Sequence, residues 1–152
     1  MRDNHWLREQ LQYLLKTYFT NVAITSPLEI RFGREAKFRF GSIRLVAPKG
    51  IKLSKLIKLI KTDKPQKSII TITSMFAAES VPANVVRYTI AHELCHYAHG
   101  FSSSNKRLFK YPHHGGIVNR ELSERGAEEL VQAFRKWLKI YRRKILTGRV
   151  EI

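Results

Sequence analysis

A single cysteine, Cys95, is all that the 152 residues contain. No intramolecular disulfide can form, and no cysteine-based zinc finger or zinc ribbon can be built. Acidic residues are scarce as well, 12 against 28 lysines and arginines, which leaves a formal charge of +16 with the histidines neutral. A chain this basic attracts polyanions, nucleic acid first, with anionic membrane surfaces and acidic proteins as further partners that composition does not separate. No apolar run approaches membrane-spanning length, which argues against membrane insertion. Residues 1–6 lead straight into an amphipathic pattern without a signal-peptide core, and a cytoplasmic protein is expected. There is no internal repeat, no low-complexity linker and no glycine-rich phosphate loop. With 43% hydrophobic residues the chain is long enough to bury a real core, and one domain over 1–152 is expected.

What is present divides by periodicity. Trp6, Leu7, Leu11, Leu14, Leu15, Tyr18 and Phe19 fall at helical spacing, with Asp3 as the cap. After Pro27 the apolar residues alternate: Leu28, Ile30 and Phe32, then Phe38 and Phe40, then Ile43 and Leu45. Gly33-Arg34-Glu35 and Gly41-Ser42 read as turns, so two or three short strands are expected, half core and half solvent. From residue 49 to 67 a lysine falls at every third position. Leu53, Leu56, Ile57, Leu59 and Ile60 gather on the opposite side, which predicts a short helix near 52–61 with an apolar floor and a lysine roof. Lys52, Lys55, Lys58 and Lys61 on that roof are candidate phosphate contacts. Residues 68–73 read as a β-branched strand. Past residue 126, Leu130, Phe134, Trp137, Leu138, Tyr141 and Ile145 form an apolar stripe, and Trp137 and Tyr141 are read as packing residues. Lys136, Lys139, Arg142 and Arg143 on the other side are the second candidate nucleic-acid surface, although bases near a helix C-terminus also suit its dipole.

The stretch that carries chemistry is His92-Glu93-Leu94-Cys95-His96, inside a segment without a helix breaker from 85 to 99. Histidines four apart share one helical face, so both imidazoles can reach one metal ion. Zinc suits two neutral nitrogens, and Glu93 beside them is placed to take a proton from water whose pKa the metal has lowered. Pro82 suits the start of this helix and Gly100 its end. A third ligand is needed. His99 returns to the same face but sits roughly 10 Å along the axis from His92, so a supporting role is expected for it. The long motif that takes a third histidine six residues after the second is absent, since Ser102 stands there. The pair His113-His114 follows a polar loop and precedes a helical run, and either could close the site, with His114 preferred and His113 the alternative. Glu121 and Glu124 could orient a ligand histidine, and Cys95 is expected to be a small buried packing residue.

Residues 69–74, 82–96 and Pro112-His113-His114-Gly115 together resemble the SprT-like (Spartan-type) metalloprotease domain. The resemblance covers roughly residues 5–145, with its specific letters within 69–122. It implies an α+β, minimal zincin-like fold: a small sheet of about three strands packed with an N-terminal helix, the HExxH helix and a C-terminal helix. It implies Zn2+ held by His92, His96 and His114, the histidine before glycine in the family pattern, with Glu93 catalytic. It further implies a zinc metalloendopeptidase acting on DNA-bound or DNA-crosslinked proteins in DNA repair, with DNA, single-stranded or duplex, as partner. The location would then be nucleoid-associated or nuclear. Where the family commonly has an aromatic after the histidine-glycine pair, this chain has Ile117-Val118. A zincin-fold hydrolase without nucleic-acid dependence, or a non-catalytic basic nucleic-acid-binding module with a structural zinc, are the alternative readings. The strand at 69–74 is the expected edge for a substrate added as a β-strand.

Overall fold

The computed structural model describes residues 1–46, 66–103, 105–109, 112–113 and 116–148. Helix α1 (Asn4–Tyr18) starts where Asp3 caps it, its carboxylate accepting the Trp6 backbone N–H at 2.8 Å. Three strands follow, β1 (Leu28–Phe32), β2 (Gly41–Val46) and β3 (Lys67–Ile72), then a 3-10 turn (Ser74–Ala77). Three more helices complete the described chain: α2 (Ala83–Ala98), α3 (Ile117–Glu124) and α4 (Glu128–Leu146). The result is α+β, with four helices and a small mixed sheet among the described residues. The predicted lysine-faced helix near 52–61, with Lys52, Lys55, Lys58 and Lys61, lies outside them. Among them no helix is long and apolar enough to cross a membrane.

The strand order is β1-β3-β2, with β3 parallel to β1 and antiparallel to β2. Ile30 and Ile43 both stand opposite Ile70, and Ile30, Ile70 and Ile72 belong to the core. Glu29 and Arg31 are exposed, so β1 is half core and half solvent as alternation predicts, whereas in β2 Leu45 is exposed beside Arg44. Two local expectations fail. Gly41 and Ser42 open a strand instead of making a turn, and Phe38 and Phe40 lie in the connection before it. The cause for Phe40 is packing, because its ring stacks on Phe76 and meets Phe134, Trp137 and Tyr141 edge-on. Burying that aromatic surface outweighs continuing a strand.

Helix α2 is the hub. It packs against the other three helices and against β2 and β3. Eleven of its residues are buried, from Val85 to Tyr97, the pattern of a helix covered on nearly every side. Arg87 donates to Gln10 of α1 at 2.7 Å, and the Tyr97 hydroxyl donates to the Ser26 carbonyl at 2.6 Å. The helix ends at residue 98, and Gly100 follows at φ +82°. A side chain there would meet the backbone of Lys106 and Arg107 at 2.6 Å, so glycine lets the chain double back.

Candidate metal centre

His92 and His96 project from one face of α2, as their spacing requires. His113 reaches them from the segment before α3. Its Nε2 lies 3.0 Å from Nε2 of His92 and 3.0 Å from Nε2 of His96. All three ligand atoms fall within 4.8 Å of one another. Nitrogens bound tetrahedrally to zinc at 2.0–2.1 Å stand roughly 3.3 Å apart, so the trio already has nearly the spacing a metal would impose. His114 lies outside the described residues, and the described histidine that completes the cluster is His113, the alternative of the pair. In a loop no periodicity distinguishes adjacent residues, so the preference for His114 rests on its place before glycine and not on any spacing that separates it from His113.

The electrostatics suit a cation. Burial, followed by the neighbouring His96 and His113, lowers His92 to about 3. Burial, followed by His113 and His99, lowers His96 to about 4. Both imidazoles are therefore neutral near pH 7 and offer lone pairs. One proton shared among three facing nitrogens is a poor substitute for a divalent ion, so the donor set fits a metal, and zinc suits its chemistry.

Glu93, between the two α2 histidines, is 6% exposed, and burial raises its carboxyl to about 7 against a smaller opposing pull from Arg39. Beside it, β2 approaches α2 closely. A Cβ on Gly41 would stand 2.8 Å from Thr89 Cγ2 and 3.4 Å from Glu93 Oε1, so glycine at 41 is what allows the contact. Sequence spacing gave no hint of Arg39 or Gly41 as neighbours of the site. Tyr88 could have been found, since it precedes His92 by one turn; its ring stacks on Phe134 at 4.2 Å and its hydroxyl donates to Asn119 at 2.6 Å.

His99 is not with the trio. It is 1% exposed and its Nε2 pairs with Glu121 Oε1 at 2.6 Å, while Arg125 approaches the other carboxylate oxygen at 3.3 Å. Glu121 thus holds a neighbour of the ligands, and Glu124 is exposed. Cys95 is fully buried, its thiol pushed far up by burial and by Glu121, so it is an unreactive packing residue. Trp137 and Tyr141 stack on each other at 4.7 Å within the aromatic cluster. Lys136, Lys139, Arg142 and Arg143 are exposed along α4.

A groove of about 770 Å³ opens over the histidines, walled by α4 on one side and by the entry to β2 on the other. The β-strand expected to offer its edge, β3, is central and hydrogen-bonded on both sides, so it has no edge to give. Among the described residues the edge nearest the trio belongs to β2. No family model, curated protein or solved structure matches this chain.

Proposed function

We propose that this chain is a zinc-dependent metalloprotease of the SprT-like, minimal zincin kind. The observation that carries the reading is the convergence of three imidazole Nε2 atoms next to a buried carboxylate at the floor of an open groove. His92, His96 and His113 would hold the metal. When bound, zinc supplies Lewis acidity that polarises a carbonyl and lowers the pKa of water towards neutrality. Glu93 would take the proton of the attacking water and return it to the leaving amine nitrogen, its buried carboxylate standing on the helix between the two metal-binding histidines. The edge of β2 that is unpaired among the described residues would align an extended substrate by backbone hydrogen bonds, the geometry of β-strand addition.

The test is zinc content with turnover. Wild type should hold one zinc per chain and cleave a disordered protein substrate, and Glu93→Gln should keep the zinc while losing about 10²–10⁴-fold in rate. Unchanged rates in that variant would favour a non-catalytic, structural zinc. Association with DNA is supported by the charge of +16 and by the exposed bases of α4. Cleavage of a DNA-bound protein should rise with single-stranded or duplex DNA and decline steeply with salt, and indifference to DNA in a salt series would reject this part.

A further inference from the structure

The groove beside the three histidines is built asymmetrically. Leu138 and Ile145 of α4 and Ile43 of β2 line it together with Phe40 and Phe134, which touch each other edge-on, so the groove that holds the histidines is largely apolar. At its mouth stand Phe38, 80% exposed, and Leu146, 86% exposed. Large apolar side chains left in water at the lip of an apolar channel gain by closing on an apolar occupant. The charges in the lining have one sign apart from Glu93: Lys37 and Arg39 on one side, Arg142 on the other.

Resting on the metalloprotease reading, we infer that this channel is a selective substrate subsite. It takes a peptide segment that places a large apolar side chain against Ile43, Leu138 and Ile145 and an acidic residue next to it, against Lys37, Arg39 or Arg142. The side chain contributes buried apolar area, and the carboxylate meets three exposed cations whose summed positive potential favours it. A basic residue at the same place would meet three like charges. The subsite therefore favours an acidic over a basic neighbour of the apolar side chain.

The binding experiment uses the zinc-loaded full chain carrying Glu93→Gln and fluorescent peptides identical except at two adjacent positions: Phe or Ala, and Glu or Lys. The Glu-Phe peptide should bind about tenfold or more tightly than either single replacement, since even one methylene in an apolar pocket is worth about that much. Adding Phe38→Ala or Arg142→Glu, both at exposed positions, should reduce that preference about fivefold or more without changing zinc content or melting temperature. Wild type incubated with the same peptides should cut the Glu-Phe member first, by mass spectrometry. Equal binding of all four peptides, or none, overturns the subsite; if wild type still cuts them indiscriminately, the protease reading survives its loss. Selective binding with no cutting by wild type supports the subsite and sinks the protease reading. Displacement of the peptide by a single-stranded oligonucleotide whose own binding Phe38→Ala weakens would reassign the channel to nucleic acid and overturn the inference.

Discussion

His96 and His99 sit one turn apart on the same stretch of chain, both buried, and they face opposite fates. Nε2 of His99 is answered by a carboxylate at 2.6 Å, with Arg125 balancing the far oxygen. Nε2 of His96 is answered by another imidazole nitrogen at 3.0 Å, and His92 adds a third. The first pairs an imidazole nitrogen with a charged partner. The second gathers three imidazole nitrogens close enough to hold a metal ion. Two buried histidines thus differ in their partners because of what arrives opposite them, Glu121 from α3 in one case and His113 in the other.

The largest test of this contrast is substitution on its two sides. His96→Ala or His113→Ala should abolish stoichiometric zinc in metal analysis after dialysis, whereas His99→Ala should retain it; zinc lost equally from all three would dissolve the distinction. Glu121→Gln sharpens it from the other side. That change leaves a buried imidazole with a weaker partner and should cost about 1–3 kcal/mol in denaturant unfolding, with zinc content unchanged.

A smaller effect reads the acceptors themselves by pH. In the metal-free chain, His92 and His96 titrate at about 3 and about 4 when folded against 6.5 ordinarily. The unfolded chain takes their protons first, so their contribution to stability is lost as pH falls below about 6.5. Glu93 works in the opposite direction, because folding raises it from 4.5 to about 7, and its contribution is lost as pH rises through that window. Between pH 5 and 6 the carboxyl therefore offsets one of the two imidazoles. Glu93→Gln removes the offset, and its stability should fall more steeply on acidification, by about 1.4 kcal/mol per pH unit relative to wild type. Parallel slopes in urea titrations would show that Glu93 does not carry a proton there.

Much of the scaffold was legible because it follows from periodicity. Asp3 caps α1, the β-branched run at 68–73 became β3, Gly100 ended the metal helix, and the stripe from Leu130 to Ile145 became the buried side of α4. The failures share a cause. Gly41 read as a turn because glycine usually is one, and only the approach of α2 shows that it is needed for clearance. The strand at 67–72 looked like a substrate edge because nothing in its letters says that β1 and β2 would pair on either side of it.

By itself the sequence determined the α+β class, the helix that carries His92, Glu93 and His96 on adjoining faces, and the excess of positive charge, since these depend on residues a few positions apart or on counting. Tertiary structure decided which described histidine joins the pair, which carboxylate claims His99, and that α4 and the entry to β2 wall a groove over the site. Those outcomes depend on segments far apart in the chain, whose meeting is set by how the whole core packs and not by local preference.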